Sequence, residues 1–198
     1  VDGVGATGNT IRNNFIGTNK NGTGALANTN AGIDLYNGST GTLVGGSFTE
    51  GNLISGNPIG VIAQADSTGN ILNGNRIGPT AAGGSGIGNG TGVRVNDTST
   101  VSIGENYTNT IAFNTGVGVR VSTSTGQAKI RLNDIYSNGG LGIDLDPPTG
   151  VDTNDVGDGD GGPNNGQNFP VITNAVSNGN VDFTFDTKQG DYSMDFFE

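Results

Sequence analysis

One four-residue pattern recurs along the chain and constrains everything else: Gly32-Ile33-Asp34-Leu35, Gly60-Val61-Ile62-Ala63, Gly92-Val93-Arg94-Val95, Gly118-Val119-Arg120-Val121 and Gly142-Ile143-Asp144-Leu145. Its first apolar residue (Ile33, Val61, Val93, Val119, Ile143) returns after 28, 32, 26 and 24 residues. In each copy two apolar side chains point one way and the residue between them the other, the period of a short strand, with the glycine expected to turn the chain ahead of it. A second set of strand signals lies between these copies, in "NTIRNNFIG", "NLISGN", "NILNGNRIG", "NTIAFN" and "AKIRLNDIYSN". Units of this length, with two or three short strands, Gly/Asn corners and no helical periodicity, predict a β-solenoid with one unit per coil. At a strand spacing of about 4.8 Å, five coils make a rod roughly 24 Å long. Ile, Val, Leu and Phe are expected to fill the bore, and Asn at equivalent corners to form side-chain ladders.

Composition supports order by repetition. Only 31% of the 198 residues are hydrophobic and 38 are glycine, too little apolar mass for a compact α/β globule. A net charge of -10 with low hydrophobicity also suits a disordered chain, but disordered chains lack regularly spaced β-branched residues. Cysteine and histidine are both absent, which excludes disulfides, thiolate or imidazole zinc sites and the Ser-His-Asp and Cys-His constellations. Eight basic residues against eighteen acidic ones argue against a nucleic-acid partner, and no apolar run approaches the length of a membrane span. Val1 has no basic, signal-like stretch ahead of it, as expected of a processed chain or a piece of a longer protein.

Two inserts exceed a minimal corner, "GTNKNGTGALANTN" (17–30) and "GPTAAGGSGIGNGTG" (78–92), and are expected to loop out from one side of the rod. The run "GTLVGGSFTEGNLISGN" with "IGVIAQADSTGNILNGNRIGPTAAG" resembles the right-handed parallel β-helix (PbH1-type) repeats of large secreted and surface proteins of bacteria, over approximately residues 8–148. That resemblance implies an all-β, right-handed parallel β-helix of about five coils; it implies little about activity, since the fold carries lyases, hydrolases, epimerases and adhesins alike. The stretch "GIDLDPPTGVDTNDVGDGDGGPNNGQNFPVITNA" resembles the closing segment of such proteins, where an acidic loop ends the helix and "NFPV" leads into a β-sandwich. The expected organisation is therefore a parallel β-helix over 1–148, an acidic Gly/Asp/Asn-rich loop over 149–168 and the opening strands of an incomplete β-sandwich over 169–198.

No basic residue lies between Arg131 and Lys188, and Asp144, Asp146, Asp152, Asp155, Asp158 and Asp160 crowd together there. Such carboxylates repel one another unless solvated or bridged, and Ca²⁺, which takes six to eight oxygen ligands, is the natural bridge. Asp152, Asn154, Asp155, Asp158 and Asp160 are the expected ligands, although no EF-hand glutamate is present. The alternative is a solvated acidic linker.

The middle residues of the recurring pattern form a column expected to face outward: Asp34, Ile62, Arg94, Arg120 and Asp144. Arg94, Arg120 and Asp144 read either as a groove for acidic polysaccharide, with Arg120 as a lyase-like base, or as a solvated cross-coil ion pair. No second carboxylate on neighbouring coils makes a glycosidase pair, Glu50 and Glu105 are isolated, and no residue is nominated as catalytic. Tyr36, Tyr107 and Tyr136 occupy different repeat positions, which argues against one sugar-stacking platform. The expected role is a structural or adhesive module, extracellular or on the cell surface, stiffened by calcium and able to self-associate through coil ends or lateral faces. The alternative is a carbohydrate-binding or polysaccharide-cleaving module.

Overall fold

The structure, a computed structural model, describes residues 1–122, 125–146, 151–175, 181–184 and 186. Its first coil runs β1 (Thr10–Ile11), β2 (Phe15–Ile16) and β3 (Ala31–Leu35), and the second β4 (Leu43–Gly45), β5 (Leu53–Ile54) and β6 (Ile59–Ala63). The third coil holds β7 (Asn70–Asn73), β8 (Arg76–Ile77) and β9 (Thr91–Val95). The fourth holds β10 (Thr100–Ile103), β11 (Asn109–Ala112) and β12 (Val119–Ser122), and the fifth β13 (Gln127–Ile130), β14 (Asn133–Tyr136) and β15 (Ile143–Asp146). First, second and third strands of successive coils pair in parallel, giving three faces of five strands each. About four full turns link β1 to β13, so the chain is an all-β parallel solenoid. In register, Val93 lies beside Val119 and Val119 beside Ile143.

The bore is aliphatic. Leu35, Val44, Leu72, Ile77, Ile103, Ile111 and Val121 are fully buried and belong to one continuous core; each such side chain contributes about 1.5–3 kcal/mol. Phenylalanine, expected among these residues, is not there: Phe15 and Phe48 are exposed on the outside. A bore lined by two- to five-residue strands takes branched aliphatic side chains one per rung, and an aromatic ring is too long for that slot.

Two asparagine ladders bracket the second face. At the corner before it, the backbone N–H and side-chain amide of Asn14 donate to Asn52 Oδ1; Asn52 does the same to Asn75, and Asn75 to Asn109, whose amide reaches Asn133. At the corner after it, the series runs Asn28, Asn57, Asn89, Asn114, Asn138. Most of these amides also donate to a backbone carbonyl of the coil below, as Asn114 does to Ile77. Each side chain thus satisfies turn groups on both neighbours, and that is why the same residue recurs in every coil.

The glycine of the recurring pattern has a different job from the one expected. Gly32, Gly60 and Gly92 lie inside β3, β6 and β9 and do not turn the chain. A Cβ on Gly92 would stand 2.4 Å from the Gly118 carbonyl oxygen and 2.9 Å from the Asn114 amide nitrogen, and Gly32, Gly60 and Gly118 repeat this crowding, whereas Gly142, on the last coil, has only the Ile135 side chain nearby. The position is glycine because the second ladder and the next coil pass too close for any side chain.

Both predicted inserts leave the rod between the second face and its following corner, each closed by an antiparallel bridge, Thr18 with Ala25 and Pro79 with Gly86. They touch each other across the intervening coil, with Ala81 N–H donating to the Gly22 carbonyl. Beyond the solenoid, a 3₁₀ turn (Pro163–Gly166) precedes an antiparallel pair, β16 (Val171–Ala175) and β17 (Val181–Thr184). Most of the expected sandwich strands, residues 176–180, 185 and 187–198, lie outside the described residues, as do residues 147–150 at the expected boundary of the helix. Among the described residues, no helix is long and apolar enough to cross a membrane.

Candidate functional site

The segment 151–168 folds back over the last coil. Its 3₁₀ turn packs against β12, β13 and β15, with Pro163 buried. Asn164 takes the place of a further strand: its Oδ1 accepts from the Ala128 N–H at 2.6 Å and its Nδ2 donates to the Ala128 carbonyl at 2.9 Å. A primary amide presents the same donor and acceptor as a peptide group, so the Ala128 peptide groups on the free edge of β13 are satisfied without another coil.

Within this segment the structure brings three of the expected ligands together. One carboxylate oxygen each from Asp155, Asp158 and Asp160 lie within 4.8 Å of one another. Bonds of 2.3–2.6 Å from a central Ca²⁺ span that separation. Asp155 Oδ2 accepts from the N–H groups of Gly159 and Asp160, at 2.8 and 3.1 Å, while its Oδ1 is buried without a hydrogen-bond partner. Asp158 is buried and accepts from the Asn168 N–H at 2.8 Å. Asn154 is engaged elsewhere, its amide bonded both ways to the backbone of Phe169.

Asp152 faces the solenoid. Burial, and then the carboxylates of Asp144, Asp160 and Asp146, push its carboxyl above the ordinary aspartate pKa. Asp152 Oδ1 and Asp144 Oδ1 are both buried and without a hydrogen-bond partner. Asp160 therefore connects two groups: it sits with Asp155 and Asp158, and its charge reaches Asp152.

The column expected to point outward is partly closed. Ile62 and Asp144 are each only 3% exposed. Arg120 donates from Nε and Nη2 to Asp144 Oδ2, at 3.2 and 3.1 Å, so these two side chains are spent on each other in a pair that is buried on the acidic side. Arg94 lies beside Arg120 in register; burial and then the Arg120 charge lower its pKa, opposed by Asp146. Asp34 accepts from the Gln64 amide. Glu50 pairs with Arg12 and Glu105 with Lys129 across coils.

Sequence reasoning missed Asn164 and Asn168. Asn168, 5% exposed, exchanges two hydrogen bonds with the Asp155 backbone and donates to the Asp186 carbonyl, tying the acidic segment to the backbone just past β17. In a chain this rich in asparagine, neither carries a local signal. The aromatic pairs were also missed: Phe48 stands edge-to-face on Tyr107 with ring centroids 5.5 Å apart, and Phe113 on Tyr136 at 5.6 Å.

Comparison of the chain with protein-family models, curated proteins and solved structures returns no match.

Proposed function

We propose that the chain is a rigid, non-catalytic spacer of a secreted or surface-attached protein, a β-solenoid stalk locked at its last coil to segment 151–168 and stiffened there by Ca²⁺. The observation that supports this reading is the docking of the 3₁₀ turn on the last coil, where Asn164 bonds both ways to Ala128 and Pro163 is buried. A structural role also accounts for the ladders, whose buried amides give stiffness and leave no group for a ligand. The resemblance of the repeats to those of bacterial surface proteins supports the location, and Ca²⁺ is abundant outside cells. Self-association through coil ends or lateral faces belongs to the same proposal.

Asp155, Asp158 and Asp160 would hold the cation, with Asp152 placed to join through Asp160. The cation would neutralise the charge that crowds Asp152 and so fix segment 151–168 on the rod. Amide hydrogen exchange tests the reading: addition of CaCl₂ is expected to slow exchange at Gly159, Asp160 and Asn168 at least tenfold and to leave β6 and β9 unchanged. Equal exchange with and without Ca²⁺ removes the stiffening role, and turnover of any polysaccharide by the chain contradicts the non-catalytic one.

A further inference from the structure

On the outside of the second face the register stacks Phe15, Leu53, Arg76, Thr110 and Asp134 one above the next. The apolar half of this column is partly covered by the first insert. Leu53 is 1% exposed, and its side chain, the Phe15 ring and the Ala81 methyl surround Gly22 at the tip of the first insert. The polar half is open: Arg76, Thr110 and Asp134 line a groove of about 500 Å³ together with Thr108 and Phe48.

Phe48 is the informative residue. Its ring is 70% exposed, yet it is held in place by the edge-to-face contact with Tyr107. At the other end of the same strands Tyr136 is steadied by Phe113. A solenoid that keeps aromatics out of its bore thus holds them, oriented, on either side of a strip of hydroxyl, carboxylate and guanidinium groups. A preorganised apolar plate beside a few convergent polar groups suits a ligand with one apolar face and a hydroxyl-bearing rim. A pyranose ring is such a ligand. The charge on the groove bears on the choice of sugar: Arg76 and the exposed Asp134 carboxylate balance each other, so the groove offers no excess of positive charge for a polyuronate.

We propose that this groove on the second face binds a neutral saccharide, with a pyranose face laid on Phe48 and ring hydroxyls shared among Thr110, Asp134 and Arg76. The site is separate from the Arg120–Asp144 column and from the acidic segment, and it goes beyond the spacer role, giving the stalk an adhesive surface along its side.

The test is an amide-resolved NMR titration of the full chain with maltohexaose, cellohexaose and mannohexaose, and with hexagalacturonate as the acidic arm. Saturable shifts at Thr108–Thr110 are expected with at least one neutral hexaose. Phe48→Ala is expected to weaken that binding about tenfold without moving the melting temperature, since the ring is mostly exposed. Asp134→Asn is expected to weaken it about threefold. No saturable shift with any neutral hexaose, tighter binding of hexagalacturonate, or unchanged affinity in Phe48→Ala would each overturn the proposal.

Discussion

The asparagine ladders of the solenoid and the joint over its last coil both bury polar side chains, and they treat them in opposite ways. In the ladders, Asn75, Asn89 and Asn114 each accept from the coil on one side and donate to the coil on the other, so the burial of these amides is matched by hydrogen bonds. At the joint, Asp144, Asp152 and Asp155 each keep one buried oxygen unpaired. An amide is donor and acceptor at once and can therefore repeat without limit. A carboxylate only accepts, so its repetition accumulates charge until a cation or a proton intervenes. The ladders are self-sufficient, whereas the joint is conditional.

Substitutions sharpen that contrast, beginning with the ladders. Asn114→Ala removes the acceptor of both the Asn89 N–H and the Asn89 side-chain amide, and one donor to the Ile77 carbonyl, at a buried corner and is expected to cost about 3–5 kcal/mol by urea denaturation. A loss below about 1 kcal/mol would mean that the ladder is ornamental. Gly92→Ala is expected to cost a similar amount, since its methyl would meet the Gly118 carbonyl.

At the joint, Arg120→Ala strands the buried Asp144 carboxylate and is expected to cost about 2–4 kcal/mol at pH 7. Arg120→Lys should recover part of that loss. Full recovery would show that charge alone matters and the two-nitrogen contact does not. Replacing Asp155 by Asn is expected to abolish any Ca²⁺-dependent rise in melting temperature while leaving the calcium-free value within about 2 °C of the parent chain. A surviving calcium response would move the site away from Asp155.

Asp152 gives the smallest effect and the clearest sign. Its folded pKa is raised, so the folded state holds the proton more tightly than the unfolded state. Its contribution to stability is fully present below the unfolded pKa of about 3.8 and is lost as pH rises through the folded value. Asp152→Asn is therefore expected to stabilise the joint modestly at pH 7 and to lose that advantage near pH 3.5, as read by melting temperature at the two pH values. Stabilisation that persists at pH 3.5 would point to packing.

The same contrast explains what is legible in the sequence. Strand spacing, the aliphatic bore, the asparagine corners and both inserts are periodic, and periodicity is what a single sequence displays. The pattern glycine is visible there, but its role is not: Gly92 has a strand backbone, and only the distance to Asn114 and Gly118 shows why no side chain fits. Hydrophobicity alone places phenylalanine inside, whereas the narrow bore decides otherwise. In the acidic segment the sequence announces charge but not partners. Asn154 and Asn168 are spent on the backbone, and Asn164, without any motif, substitutes for a strand. These are single tertiary contacts that no repeat signals.

The stack itself is open to a direct distance measurement. Thr10 and Lys129 are exposed, separated by 119 residues in sequence, and lie in one first-face column through Leu43, Ile71 and Ser102. Because the chain has no cysteine, nitroxide labels can be attached at Thr10→Cys and Lys129→Cys alone and their separation read by double electron–electron resonance. Four rungs place the two backbones about 19 Å apart, which predicts a single narrow distribution near that value after allowance for the label arms. A broad distribution, or one centred beyond about 40 Å, would contradict the coil-on-coil architecture.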